Sequence, residues 1–235
     1  MNSQAAWFIT GTDTEIGKTF VACALLHALR QQGLTAIAMK PVAAGCDAQG
    51  RNDDVERLLA ASSFHPAREL VNPYTLRAAI APHIAASEEG QAIDIQRISA
   101  CFAKLRTMAD AIVVEGVGGF CVPLDESTDT TDLAAVLGLP LILVVGMRLG
   151  CINHALLTAQ AINARGLTLA GWVANRIDPA MSRFDENLAT LRNRLNAPLI
   201  GVVEHAVTSL DAARRLQLPV QAASPAQAGP PAGQR

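Results

Sequence analysis

The sequence predicts a single doubly wound α/β domain, in which a mostly parallel sheet is flanked by helices on both faces. Short apolar runs recur along the chain without polar alternation, as parallel strands require when neither face meets water. Segments with helical periodicity separate these runs. Half of the 235 residues are hydrophobic and only 17% are charged, which suits one large buried core.

Six apolar runs are the predicted strands, and they cover residues 7–10, 36–39, 111–114, 141–145, 170–173 and 199–203. The predicted helices cover residues 18–32, 93–108, 153–164 and 183–194. Gly33 and Gly166 are placed to end two of these helices. Between residues 43 and 89 the alternation weakens and turn signals such as Asn72-Pro73 accumulate. We expect a less regular segment there, carrying part of a substrate site.

The predicted folded domain spans residues 1–216. Residues 217–235 are rich in Pro, Ala, Gly and Gln and supply no apolar face. Such a composition cannot bury enough surface to offset the entropy of ordering the chain. We therefore expect a disordered tail.

The charge balance favours small-molecule ligands. With 19 basic and 21 acidic side chains, the chain offers no general attraction for nucleic acid or an anionic membrane. The first residues lack a basic region followed by a long apolar run, so we expect no signal peptide. No stretch approaches the about 18 apolar residues that span a bilayer. The five scattered cysteines form no C-x-x-C pair and are interpreted as reduced thiols. The expected location is the cytoplasm.

A phosphate-binding loop is the strongest local motif, and it covers residues 11–19 between the first strand and the first helix. Its backbone N–H groups can wrap phosphate oxygens, Lys18 can reach the β- and γ-phosphates, and Thr19 can bind magnesium. Five residues separate Gly11 and Gly17, one more than the usual spacing. An ordinary strand-to-helix turn is the alternative, but the Gly-Lys-Thr ending favours ATP and a P-loop NTPase-like fold.

Three further polar residues are candidates for the same site. Glu115 directly follows the apolar run 111–114, where a magnesium-binding carboxylate is expected. Lys40 ends the run 36–39 and should lie at the carboxyl edge of the sheet, where doubly wound folds bind ligands. Asp54 lies in an acidic stretch that equally suits an exposed helix start. A solvated side chain is the alternative for each.

Seven stretches, taken in this order, resemble the dethiobiotin synthetase family. They are residues 10–19 with the longer loop, 40–43, 51–52, 72–75, 114–119, 150–155 and 171–175. Each stretch is a weak signal alone, whereas the ordered set is specific. The likeness extends from the first strand to about residue 201.

The resemblance implies a ligase of biotin biosynthesis that uses ATP and Mg²⁺. Enzymes of this family convert 7,8-diaminononanoate and CO₂ into dethiobiotin, with ADP and phosphate as further products. One amine takes up CO₂ as a carbamate, the carbamate attacks the γ-phosphate, and the second amine closes the cyclic urea. Positioning and charge neutralisation are then the protein's main contribution.

The resemblance also implies roles for individual residues. The catalytic pair is Lys18 and Lys40, and the magnesium ligands are Thr19, Asp54 and Glu115. The nucleotide would contact Glu15, Ile16, Gly17, Lys18, Thr19, Phe20, Asp54, Glu115, Gly116, Val117, Gly118, Asn175 and Arg176, with Asn175 at the adenine. The diamine would contact Thr14, Lys40, Ala44, Gly118, Gly150, Cys151, Ile152 and Asn153.

Members of the family are homodimers in which the partner chain completes the substrate pocket, and segment 149–153 matches that part. Two departures affect details. Ala44 stands where the family often has Ser, so a substrate hydroxyl contact is missing. The run 203–206 lacks the Pro that usually follows the last strand near adenine, so the adenine-side loop departs from the family pattern there.

Three other classes of protein compete with this interpretation. A partition- or targeting-type ATPase would carry an extra lysine early in the loop, and residues 12–16 contain none. A cobyrinate-type amidase would add a glutaminase domain with a cysteine nucleophile, for which the chain is too short. A pure binding module would not need two lysines and three metal-ligand candidates at strand ends.

Overall fold

The computed structural model describes residues 5–218, which contain eight strands. They are β1 (Ala5–Gly11), β2 (Ala36–Met39), β3 (Val42–Ala44), β4 (Tyr74–Leu76), β5 (Ala111–Glu115), β6 (Leu141–Gly146), β7 (Leu169–Asn175) and β8 (Leu199–Val203). Six of them form one parallel sheet in the order β2-β5-β1-β6-β7-β8. The predicted doubly wound, mostly parallel fold is confirmed.

Nine helices connect the strands in the described part of the chain. They are α1 (Lys18–Gln31), α2 (Asp53–Ala61), α3 (Arg68–Val71), α4 (Pro82–Glu88), α5 (Ile95–Leu105), α6 (Thr130–Leu137), α7 (Cys151–Ala164), α8 (Phe184–Arg194) and α9 (Ser209–Ala213). Alternate residues of β1 show that helices cover both faces of the sheet. Ala6 and Phe8 pack with residues of α5 and α6, whereas Trp7 and Ile9 pack with residues of α1.

All six predicted strands are present. β2 and β8 have the predicted bounds, and the other four are one to three residues longer. The predicted helix at 93–108 is shorter, because Asp94 accepts the Gln96 N–H and caps α5 at its start. The predicted helix at 153–164 begins two residues earlier, at Cys151, directly after the left-handed Gly150.

The irregular segment between residues 43 and 89 contains more structure than the sequence indicated. β3 and β4 pair in parallel as a separate two-stranded sheet, and α4 packs against both strands. The same segment contains α2 and α3, which pack against β2 and neighbouring helices. Strands of three residues are too short to show a periodicity. α6 and α9 were also missed, although Asp129 and Asp132 form a capping box at the start of α6.

The described chain ends against the edge of the sheet. The Gln217 N–H donates to the Ile200 carbonyl at 2.9 Å, and Leu216 is buried there. Most of the predicted tail, residues 219–235, lies outside the described residues. None of the helices in residues 5–218 combines the length and apolar composition needed to cross a bilayer.

Candidate active site

The candidate residues converge because the strands are parallel. β1 ends at Gly11, β5 ends at Glu115 and β7 ends at Asn175, so all three strands deliver these residues to the same edge of the sheet. Lys40 follows the last residue of β2 and reaches the same edge. The carboxyl edge is where open α/β sheets bind ligands.

The phosphate-binding loop joins β1 to α1, as predicted. Glu15 and Gly17 both have left-handed backbone angles, with φ of 58° and 84°. These angles let the longer loop turn back before α1 begins at Lys18. The Lys18 ammonium folds over the loop and donates to the Asp13 carbonyl at 2.7 Å.

Burial and a neighbouring cation make Lys18 an unusual lysine. Desolvation, followed by repulsion from Lys40, lowers the pKa of Lys18 to about 8. The site therefore presents two ammonium groups close enough to repel each other. An anion with several negative charges, such as a triphosphate, would relieve that repulsion.

Lys40 is buried and paired with two carboxylates. Its Nζ lies 2.6 Å from Glu115 Oε1 and 3.3 Å from Asp54 Oδ2. Burial lowers the pKa of Lys40, but these two carboxylates raise it above its ordinary value. Lys40 is therefore a cation at neutral pH, and neither it nor Glu115 is the solvated side chain considered as an alternative.

The three predicted magnesium ligands lie around this lysine. The Thr19 hydroxyl donates to Glu115 Oε1 at 2.8 Å, and Asp54 contacts the same ammonium as Glu115. Glu115 Oε2 is buried without a hydrogen-bond partner in the described residues. A buried carboxylate oxygen without a partner is costly and suits a hard cation. These hydroxyl and carboxylate oxygens fit Mg²⁺.

Asn52 links the predicted metal ligand Asp54 to the predicted substrate strand. Its side-chain oxygen accepts the N–H groups of Asp54 and Val55 and so caps α2. Its amide nitrogen donates to the carbonyls of Gly45, at 2.5 Å, and Ala44. Sequence reasoning missed this role, although an asparagine directly before an acidic helix start is a recognised capping signal.

The glycine-rich loop after β5 packs closely against β1. A Cβ on Gly116 would lie 3.1 Å from the Phe8 ring. Gly118 has φ of 62°, and a Cβ there would lie 3.7 Å from the Thr14 hydroxyl, so these two predicted ligand contacts face each other. Val117 packs partly into the core.

The predicted base-side residues are already engaged in contacts within the protein. The Asn175 amide nitrogen donates to the Ile16 carbonyl at 2.7 Å. The Arg176 guanidinium pairs with Glu204 and lies 4.7 Å above the Phe184 ring. Phe20 is half-buried on α1.

The predicted dimer segment lies at the start of α7. Gly150 and Cys151 begin the helix, and the Cys151 side chain is buried, whereas Asn153 is exposed and Ile152 is half-buried. Arg148, just before it, pairs with Asp13 of the phosphate-binding loop at 2.5 Å. No sequence pattern indicates this contact, because residues 135 positions apart share no local pattern.

Comparisons with known proteins agree with this geometry. The sequence model of an AAA domain family matches residues 5–214. Among solved structures, a ParA family ATPase of Chlorobium tepidum superposes with a TM-score of 0.55 at 14% identity, covering 90% of this chain and 88% of that chain. A chain of the MinC:MinD cell division protein complex of Aquifex aeolicus gives 0.54 at 14% identity, covering 93% and 98%. Such distant likeness supports the fold alone.

Curated relatives are much more similar. The ATP-dependent dethiobiotin synthetase BioD of Aromatoleum aromaticum is 64% identical over 208 residues, which is 87% of this chain and 92% of the relative. The enzyme of the same name from Janthinobacterium sp. is 55% identical over 213 residues, 88% of this chain and 90% of the relative. Together with the site geometry, these matches show that the chain belongs to the dethiobiotin synthetase family.

Proposed function

We propose that the chain is an ATP- and magnesium-dependent dethiobiotin synthetase that joins 7,8-diaminononanoate and CO₂ at the edge of the sheet described above. One observation carries the proposal: buried Lys40 pairs with Glu115 and Asp54, Glu115 also accepts the Thr19 hydroxyl, and the second buried lysine, Lys18, is close enough to interact electrostatically with Lys40 and both carboxylates. Family membership supplies the substrate class, and the site supplies the charges that this reaction needs.

The first step is the uptake of CO₂ by one amine of the substrate. A C–N bond forms between the amine and CO₂, the amine loses a proton, and the product is a carbamate anion. Lys40 is held as a cation by Glu115 and Asp54 and can stabilise this anion. Lys40 also donates to the Gly116 carbonyl at 3.3 Å, and the Thr14 hydroxyl lies near Gly118. The Thr14 hydroxyl and the backbone of residues 116–119 would orient the diamine.

The second step is phosphoryl transfer. A carbamate oxygen bonds to the γ-phosphorus while the bond to the ADP oxygen breaks, which gives a mixed carbamic–phosphoric anhydride. Lys18 would neutralise charge on the transferring group, and the backbone of residues 15–19 would hold the phosphates. Thr19, Asp54 and Glu115 would hold Mg²⁺, which supplies charge neutralisation on the phosphate oxygens.

Ring closure completes the reaction. The second amine attacks the carbamoyl carbon, the C–N bond of the cyclic urea forms, and phosphate leaves with the bonding electron pair. Water must stay away from the anhydride in this step. Lys40 and Glu115 are only 4% and 1% exposed, so this part of the site is shielded from water.

The proposal includes a homodimer whose partner chain completes the substrate pocket. Leu149, just before α7, is 96% exposed, and Leu157 on the same helix is 56% exposed. Such apolar side chains beside the site favour an interface. The backbone N–H groups at the start of α7 suit the carboxylate of the diamine substrate.

The decisive experiment measures ADP release with magnesium-ATP and bicarbonate, with and without 7,8-diaminononanoate, while dethiobiotin is followed by mass spectrometry. We expect diamine-dependent ADP release with an equal amount of dethiobiotin. Lys18→Ala should lose nearly all turnover, and Lys104→Ala, which changes an exposed lysine on α5, should lose none. ATP binding without either product would refute the synthetase and favour a switch ATPase.

A further inference from the structure

We propose that Asn175 positions the phosphate-binding loop through the carbonyl of Ile16, independently of any contact with the nucleotide base. This goes beyond the proposed function, because it concerns how the loop is held before a nucleotide arrives. The Asn175 amide nitrogen donates to the Ile16 carbonyl at 2.7 Å across 159 positions of sequence. The Asn175 side chain is buried, so water competes little for this hydrogen bond.

Gly17 provides a second observation. A Cβ on Gly17 would lie 2.2 Å from the Asn175 amide nitrogen, well inside any allowed contact. The amide therefore fills the space that a side chain at position 17 would need. Glycine is required at this position for two reasons: it adopts the left-handed φ of 84°, and it leaves room for Asn175 to approach the loop.

The side chain of Ile16 is held by close packing. A Cβ on Gly146 would lie 2.5 Å from Ile16 Cγ2, and a Cβ on Gly11 would lie 2.8 Å from Ile16 Cδ1. Ile16 is 1% exposed. Its side chain is thus held between two glycines while its carbonyl is held by Asn175. Ile16 is the point at which the lengthened loop is fixed to the sheet.

Asn175 is itself held rigidly. It is the last residue of β7, in register with Gly146, and its carbonyl accepts the Met147 N–H at 2.8 Å. Because Asn175 lies on a strand that is paired with its neighbour, its amide can hold the loop N–H groups in place before phosphate binds. Preorganisation of this kind raises affinity by reducing the ordering cost of binding. Asn175 should therefore affect phosphate affinity even for a ligand that has no base.

The test compares magnesium-ATP with inorganic tripolyphosphate, which carries phosphates and no base, by isothermal titration calorimetry. We expect Asn175→Ala to weaken both ligands by about tenfold, equivalent to about 1.4 kcal/mol. The matched control is Asn187→Ala, which removes a half-buried amide on α8 that donates to the Arg183 carbonyl at the same 2.7 Å in a solvent-exposed hydrogen bond. That variant should bind both ligands like the parent protein.

Hydrogen exchange of the nucleotide-free protein gives an independent readout. In Asn175→Ala, the amides of residues 12–19 should exchange faster, while those of α5 should not change. Asn175→Ser is measured in parallel, because its shorter side chain cannot span the distance to the Ile16 carbonyl and it removes less packing. One of the two variants therefore yields the comparison even if the other folds poorly.

Three results would overturn the proposal. If Asn175→Ala binds tripolyphosphate as tightly as the parent protein does but binds ATP more weakly, Asn175 contributes only through contact with the base. Unchanged affinity for both ligands would mean that Asn175 does not contribute to phosphate binding. Faster exchange throughout α5 would mean that the substitution destabilises the whole protein and not the loop in particular. None of these measurements involves dethiobiotin. A protein that makes no dethiobiotin yet shows the predicted exchange pattern would refute the proposed function and leave this inference standing.

Discussion

Replacing Lys40 should slow the chemical step while leaving nucleotide binding nearly unchanged. Its ammonium contacts Glu115 and Asp54, whereas Lys18 is the lysine that reaches over the phosphate loop. We expect Lys40→Met to lower kcat by about 100- to 1000-fold, the scale of one preorganised charge. The Kd for magnesium-ATP should stay within about threefold of the parent value.

The control for this variant is Lys104→Met. The chain has only three lysines, and Lys104 is the exposed one. Steady-state kinetics would measure kcat, and calorimetry would measure the Kd for magnesium-ATP, for the parent protein and the two variants. If Lys40→Met weakens ATP binding as much as it lowers kcat, Lys40 is a structural residue of the nucleotide site.

At the scale of elements, the cap of α2 should matter for activity and not only for stability. Asn52→Ala removes the acceptor for the Asp54 N–H and the donors to the carbonyls of Gly45 and Ala44. We expect a loss of about 1 kcal/mol in unfolding free energy, as for other caps. We also expect a higher magnesium requirement, because Asp54 loses its fixed position.

Asp94→Ala is the matched cap variant, since Asp94 caps α5 through the Gln96 N–H away from the site. Denaturant unfolding should give both variants a similar loss of stability. Magnesium titration of the velocity should distinguish them. Equal magnesium requirements in the two variants would show that α2 needs no help from Asn52 to place Asp54.

We expect the residues at the start of α7 to determine whether the protein forms a dimer. Leu149→Glu places a charge at a residue that is 96% exposed and that we assign to the dimer interface. Light scattering should show monomers, and KM for the diamine should rise while ATP affinity stays constant. Leu210→Glu on α9, where the side chain is 47% exposed, should remain dimeric. A monomeric parent protein would contradict the assignment outright.

The elements also show what the sequence could predict. Long strands such as β5 were found because four consecutive apolar residues leave no alternative pattern, and Glu115 followed from the end of that strand. β3 and β4 were missed because three-residue strands carry no periodicity. The contacts of Asn175 with Ile16 and of Arg148 with Asp13 join distant positions, and only the folded chain brings them together.

At the scale of the whole molecule, the C-terminal boundary of the fold can be located by truncation. Removing residues 223–235 should leave both activity and unfolding temperature unchanged. Ending the chain at Arg214 should lower the unfolding temperature by several degrees, because it removes Leu216, which packs on Gly201, and the Gln217 bond to Ile200. Differential scanning calorimetry would measure both. A large loss in the first truncation would show that the segment is needed.

The scarcity of lysine also has a practical consequence. Lys18 and Lys40 are 6% and 4% exposed, so amine-reactive reagents reach them poorly, whereas Lys104 is open to solvent on α5. Lys40 is also held as a cation, so an active ester should place a fluorophore or a surface tether on Lys104 ahead of Lys40. The pKa of Lys18 is lowered to about 8, so labelling should be carried out with saturating magnesium-ATP to cover that amine. The protein could be immobilised through that helix with its catalytic edge still facing the solution.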